Sequence, residues 1–273
     1  MQTHLAARRL KGIDKPDKDV QVMFAVEPSR KAVLFIHGFS GDAIETWSDF
    51  HLLLPATHPC QGRDLFFYGY DGLRAEMTAS ASLFRDFLDR LFRETARYVN
   101  DNLPPAAGRP PGFSYDGLAI VAHSLGAVIT RRALLDATRM RLSWPSKTKM
   151  VLYAPAHMGA SVADLALEVA SGFKFLRLFG SLARFESPLI DQLKPGSRDL
   201  ETLLMETNAA CQGGKNRHLV ACKVIIAEYE RIVRNERFGA DPPPQTIAET
   251  THTSVCKPRR DFQRPLALLE ECL

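Results

Sequence analysis

One stretch constrains this chain more than any other: Leu118-Ala119-Ile120-Val121-Ala122-His123-Ser124-Leu125-Gly126-Ala127-Val128-Ile129-Thr130. Leu118 to Ala122 is uniformly apolar, as in a strand covered on both faces. From Leu125 the apolar residues switch to helical spacing, at Leu125, Val128, Ile129 and Leu135. Ser124 stands at the junction of strand and helix. A turn that sharp crowds the positions two before and two after the serine, so both must be small. Gly126 meets this need, and Ala122 exceeds glycine by a single methyl. The turn lifts the serine hydroxyl clear of both elements, at the cost of a strained backbone. The amide of Leu125, at the helix N-terminus, can then face charge developing on a carbonyl oxygen.

The flanking chain tells what kind of sheet holds this strand. Ala32 to Ile36 and Met150 to Ala154 are further apolar runs of strand length, Asp64 to Tyr68 is a short aromatic strand, and Val20 to Val26 alternates as an early strand. Between them, helical spacing predicts a helix from Trp47 to Leu54 that stops at Pro55, and an amphipathic one from Ser82 to Val99. Pro104, Pro105, Pro110 and Pro111 mark a loop. Strands alternating with helices predict an α/β chain with a mostly parallel, doubly wound sheet. From Ala160 to about Asn208 no strand signal occurs. A helix is expected over Val162 to Ser171, an apolar run follows from Phe173 to Phe185, and Ser197 is placed to cap a helix reaching Met205. We read 160–210 as a helical cap inserted between two late strands of one domain spanning 1–273. Leu219 to Ala227 returns to the sheet, and a last helix is expected from about Asp261 to Leu269.

Composition excludes several classes of function. With 45% hydrophobic and 24% charged residues the chain is of ordinary globular type. A net charge of +4, with Lys and Arg scattered, argues against nucleic acid as a partner. No apolar run is long enough to span a bilayer, and no apolar core of a signal peptide follows the basic Met1–Lys11 segment. Cys60, Cys211, Cys222, Cys256 and Cys272 are widely spaced and form no CxxC pair. Free thiols in a reducing cytoplasm fit them better than a disulfide frame or a zinc site. No metal or cofactor is expected.

A serine hydroxyl is a weak nucleophile and needs a base, itself oriented by a third group. His252 is the one histidine in a loop after the last strand, and the strand ends of a doubly wound sheet gather at one edge; it is the expected base. His123, beside Ser124, points away from the apex and is given a packing role. His37, ending a strand, is expected to tie its loop to the turn. His157, following Ala154-Pro155-Ala156 at a strand tip, is a candidate for lining the site, as are Ser40, His37 and His123. For the acid, Glu230 is favoured because Ile232-Val233 would anchor it by packing, with Glu228 and Asp241 as alternatives. The second oxyanion donor is expected from the 37–42 loop, the Phe39 amide first and Ser40 next, to act with that of Leu125.

Over nearly its whole length the chain resembles the α/β-hydrolase superfamily, and within it the serine-active-site-containing and GPI-inositol-deacylase-like lipases. The matching pieces are His37-Gly38-Phe39, Phe67-Tyr68-Gly69-Tyr70-Asp71, Ala122-His123-Ser124-Leu125-Gly126, Ala154-Pro155-Ala156-His157-Met158-Gly159, Leu193-Lys194-Pro195-Gly196-Ser197, and His252 with Cys256-Lys257. The order Ser, acid, His is that of α/β-hydrolases. The resemblance implies a serine esterase or lipase with Ser124 as nucleophile and His252 as base, needing no metal and cleaving carboxylic esters, often of lipids. Glu stands where the family usually has Asp, and Ala122 where it usually has Gly. The same triad serves a thioesterase or acyltransferase, and an idle binding module on this fold is the reading from another class. Phe173, Phe175, Leu176, Leu178, Phe179, Leu182 and Phe185, with Lys174, Arg177 and Arg184 among them, either form a lid for an acyl chain or a membrane surface or pack the cap onto the sheet.

Overall fold

A computed structural model of the chain describes residues 3–11, 20–72, 76–104, 107–161, 164 and 191–273. Among them the apolar runs assemble into an eight-stranded sheet: β1 (Arg8–Arg9), β2 (Gln21–Met23), β3 (Lys31–Ile36), β4 (Asp64–Tyr68), β5 (Gly117–His123), β6 (Thr148–Tyr153), β7 (Lys223–Ala227) and β8 (Gln245–Ile247). Their spatial order is β1-β2-β4-β3-β5-β6-β7-β8. The first two pairings are antiparallel and the other five parallel. The chain thus winds outward both ways from β3 and β5. Their C-terminal ends, where a doubly wound sheet places its site, are Ile36 and His123.

Burial explains the run-like sequences. β3 and β5 are buried along almost their full length, because helices cover both faces. Phe35 on β3 stacks on Phe67 of β4 at 4.8 Å and meets Trp47 and Phe50 edgewise or tilted. Among the described residues the α-helices are α1 (Phe50–Leu53), α2 (Met77–Arg93), α3 (Thr95–Asn100), α4 (Leu125–Arg139), α5 (Arg198–Cys211) and α6 (Arg264–Glu270). α2 lays Met77, Ala81, Phe84, Leu88 and Leu91 on the core, the i, i+4, i+7 stripe of a half-covered helix. The proline-rich loop is pinned from below: Arg109 and Tyr115 both donate to the buried Asp64 carboxylate, at 2.8 and 2.5 Å.

Several boundaries differ from expectation. The helix expected over Trp47–Leu54 is instead a 3-10 turn at Glu45–Trp47, the short α1, and a second 3-10 turn, Leu54–Ala56, that takes in Pro55. Proline fits there because an N-terminal turn residue has no amide to satisfy. The Ser82–Val99 helix begins earlier and divides near Glu94, beside which Thr95 Oγ1 donates back to the Leu91 carbonyl at 2.6 Å. Val20–Val26 forms a strand only over Gln21–Met23, where β4 pairs with it. Leu219 belongs to a 3-10 turn and β7 starts at Lys223. β8 was not anticipated; of its three residues only Ile247 is buried, so neither alternation nor an apolar run marks it.

Most of the 160–210 insertion, including the Val162–Ser171 helix and the Phe173–Phe185 run, lies outside the described residues. Its last part, α5, starts where the Ser197 hydroxyl accepts from Leu200 N at 3.4 Å. This helix rests on α4 through buried Leu200 and Leu203 and an Arg132–Glu206 ion pair of 2.7 Å.

Candidate active site

β5 delivers the serine. Ser124 has φ 52° and ψ −121°, a region non-glycine residues avoid, and the neighbours over-determine it. Its amide donates to the Tyr153 carbonyl at 3.0 Å, and its carbonyl accepts from Ala127 and Ala156 at 3.1 and 3.2 Å. Both small residues near it are there for room. A Cβ on Gly126 would stand 2.4 and 2.5 Å from the His37 and Ile36 carbonyl oxygens, and one on Gly38 would stand 2.8 Å from the Ser124 Cβ. The turn therefore lies directly against the end of β3, and the 37–41 loop crosses beside the serine.

The loop after β8 brings in His252. Its Nε2 lies 3.0 Å from Ser124 Oγ, and its Nδ1 is 3.1 Å from each carboxylate oxygen of Glu230. The Glu230 and His252 side chains are fully buried. Glu230 Oε1 also accepts from the amides of Ile232 and Val233, at 2.9 and 3.1 Å. Burial alone would raise the Glu230 pKa. The hydrogen bond and charge of His252, with those two amides, outweigh it and hold the carboxyl below its usual value. The two loops are stitched together past the strand ends: Glu228 N donates to Ile247 O at 3.1 Å and Tyr229 N to Thr250 O at 3.0 Å. On the other side Ser161 N donates to Ile232 O at 2.7 Å and Arg234 N to Gly159 O at 3.2 Å.

The other two carboxylates lie elsewhere. Glu228 accepts from Glu249 N at 2.8 Å on the surface. Asp241 is buried against Arg131 of α4 at 2.5 Å and accepts Ala221 N at 2.8 Å. His157 is brought to that same cluster rather than to Ser124. Arg131 Nε donates to its Nε2 at 3.2 Å, and the ring lies on Phe238. His37 ties its loop to the segment after β4 more than to the turn. Tyr70 N donates to His37 Nε2 at 3.2 Å, the two rings stack at 4.4 Å, and Tyr70 OH donates to the His37 carbonyl at 3.0 Å. Ser40 has φ 51°, and Phe39 beside it is buried.

Two supports escaped the sequence reading. Tyr70 belongs to a quoted motif, but its role as the prop of the 37–41 loop depends on a contact across the strand ends. His123 does more than pack, because its Nε2 donates to the His252 carbonyl at 2.9 Å. Burial, then the neighbouring His252, drives its pKa well below 6.5, so it serves as a neutral donor. Among the described residues no group of three or more His, Cys, Asp or Glu is arranged to hold a metal ion, and no helix is long and apolar enough to cross a membrane.

No protein-family model matches the chain, and no curated protein matches it in sequence. Solved structures do match it in shape. A mature Bacillus licheniformis lipase is 12% identical with a TM-score of 0.52, over 97% of each chain. A peroxisomal α/β-hydrolase of Saccharomyces cerevisiae is 10% identical with a TM-score of 0.52, over 100% of this chain and 90% of that one. A monoacylglycerol lipase of Paleococcus ferrophilus is 15% identical with a TM-score of 0.50, over 89% and 94%. Strand order, the strained serine turn and these likenesses agree that, in fold, the chain is an α/β-hydrolase.

Proposed function

We propose that the protein is a serine hydrolase of carboxylic esters, with Ser124 as nucleophile, His252 as base and Glu230 as the group that orients and charges the base. The observation that carries the reading is the unbroken line from Ser124 Oγ to His252 Nε2 at 3.0 Å and from His252 Nδ1 to Glu230 at 3.1 Å. With its proton on Nδ1 and donated to Glu230, the imidazole leaves Nε2 free to accept the serine proton. Oγ then attacks the ester carbonyl, and the oxyanion is met by the amides of Leu125, at the start of α4, and of Phe39. The imidazolium returns its proton to the departing alkoxide, leaving an acyl-enzyme. Water, deprotonated by the same Nε2, attacks the acyl carbon and frees the acid with Ser124 restored. Each oxyanion donor is worth about 2.7–4 kcal/mol of barrier in sites of this type.

Acyl esters of lipid kind are the favoured substrates, because two of the similar folds are lipases by name. The test is labelling with a fluorophosphonate, read as intact mass, on the wild type and on Ser124→Ala. Stoichiometric labelling that the substitution abolishes is the expected result. A folded wild type that stays unlabelled, with and without detergent micelles, overturns the proposal in favour of a binding module.

A further inference from the structure

Far from Ser124, the residue before β7 and the turn after α6 run side by side. Cys222 is exposed and Cys272 buried, and their sulfurs lie 3.0 Å apart although the residues are fifty positions apart in sequence. The residue after Cys222 and the residue before Cys272 form an ion pair, Lys223 with Glu271. Cys222 is fixed from behind by its amide, which donates to the Met150 carbonyl at 2.8 Å. A disulfide of about 2.05 Å needs the sulfurs to close by only about 1 Å. Cys222 also opens onto a cleft of about 530 Å³ lined by Lys149, Asn216, Arg217 and His218.

We propose that Cys222 and Cys272 are a reversible dithiol–disulfide site, whose oxidant is a small disulfide bearing carboxylates, received in the cationic cleft beside Cys222. The Cys222 thiolate attacks one sulfur of the oxidant RSSR, forming a mixed disulfide and releasing RS⁻. Cys272 then gives up its proton and attacks the Cys222 sulfur, expelling the second RS⁻. The net change is two protein thiols and RSSR to one protein disulfide and two RSH, which needs no further reductant or oxidant. The division of labour follows from the surroundings. The hydrogen bond from Cys272, with Lys149 and Lys223 nearby, brings the exposed Cys222 thiol down to about 6, in the range of reactive cysteines. Burial pushes the Cys60 and Cys256 thiols up to about 12, and burial also raises that of Cys211. The cross-link closes a loop that contains Glu230 and His252, so oxidation would tie down the segment carrying both.

The experiment exposes the folded full-length protein to oxidised glutathione, blocks remaining thiols by alkylation, and reads intact mass, peptide maps and Tm. Expected are the loss of two hydrogens, a Cys222–Cys272 linked peptide, and a Tm raised on the order of 5–10 °C. Cys272→Ser should arrest the reaction as a stable glutathione adduct on Cys222, and Cys222→Ser should abolish adduct and link alike. Cystamine, a cationic disulfide, should react about tenfold more slowly than oxidised glutathione, and Arg217→Gln should narrow that gap. A wild type that keeps the glutathione adduct while Cys272 remains alkylatable refutes the pair, as does a link mapped to other cysteines or no reaction at Cys222. Equal rates with the two oxidants refute the role of the cleft.

Discussion

Replacing Glu230 by Gln tests how the proposed base is oriented, and the structure fixes which way the new amide must turn. Oε1 receives two backbone amides, from Ile232 and Val233, besides the contact with His252 Nδ1, whereas Oε2 receives only Nδ1. Two N–H donors cannot face a third, so the Gln carbonyl must take the Oε1 position. Its NH₂ then falls where Oε2 was, 3.1 Å from Nδ1. Nδ1 is also 3.1 Å from Oε1, but a neutral carbonyl there already accepts two backbone amides, so Nδ1 is better served accepting from the new NH₂, which moves the imidazole proton to Nε2. Nε2 then donates toward Ser124 Oγ instead of accepting from it, and the negative charge that would stabilise the imidazolium is gone as well. A wrong tautomer of this kind lowers kcat on the order of 10⁴-fold in the serine-protease triad, about 5.5 kcal/mol of barrier. Because both amides keep their acceptor, stability should change by no more than about 1–2 kcal/mol.

Short-chain p-nitrophenyl ester hydrolysis would give kcat, with thermal denaturation as the control for folding. Asp241→Asn is the contrasting variant. It leaves Arg131 as an uncompensated buried charge and should cost about 3–5 kcal/mol of stability, with the kcat of the folded fraction kept. A loss of less than about tenfold in Glu230→Gln, with its Tm retained, would refute the orienting role of Glu230.

Two further predictions concern the turn and the pH response. Gly126→Ala drives a Cβ to 2.4 Å from the His37 carbonyl oxygen, a backbone atom that no rotamer change can move. Overpacking of about 1–3 kcal/mol should outweigh the roughly 0.5–1 kcal/mol of helix propensity gained. The clash presses the start of the helix against the Ile36–His37 backbone, next to the segments that carry the proposed oxyanion amides of Leu125 and Phe39, so the fluorophosphonate labelling rate should drop at temperatures where the variant is still fully folded. An unchanged rate and Tm would show that the turn is looser than this contact requires. As to pH, burial first, and then the neighbouring His252 for His123 and the Arg131 guanidinium for His157, hold the two rings well below 6.5. Below that value the unfolded chain takes up protons that the native chain refuses. The stability these two neutral rings contribute is therefore complete above pH 6.5 and lost as pH falls, by up to about 2.7 kcal/mol per pH unit for the pair. Urea midpoints from pH 7.5 to 5 would measure this slope, and a flat response would count against burial of the neutral rings.

How much of this was legible in the sequence depends on the range over which each feature is determined. The turn at Ser124 was legible because its constraint is local. A backbone that reverses so sharply between strand and helix limits residue types at Ala122 and Gly126, and those types are printed in the chain. β4 was legible for a similar reason, since Asp64–Tyr68 is short, aromatic and closed by glycine. β8 was not, because Gln245–Ile247 is a strand only by virtue of pairing with β7, and nothing in three residues announces a partner. Arg131 illustrates the same limit in a helix. A charged residue within an amphipathic pattern reads as solvent-facing, yet Asp241, the Leu219 carbonyl and the Phe238 ring, which lies 4.4 Å away, meet it inside the protein. Each of these lies some ninety to a hundred and ten residues along the chain.

Choosing among the three carboxylates needed that same long-range information. Glu228, Glu230 and Asp241 all follow β7, and apolar Ile232-Val233 gave the only local reason to favour one. What separates them in space is the ladder that continues past the strand end, Glu228 to Ile247 and Tyr229 to Thr250, which carries Glu230 to Nδ1 of His252. His123 makes the final distinction. Strand alternation leads one to expect its side chain to leave the apex away from Ser124. It says nothing of the loop that arrives there, and it is the His252 carbonyl, brought in by β8, that turns a packing residue into a support for the proposed base. Direction is a property of the strand, whereas role is a property of what the rest of the fold delivers to it.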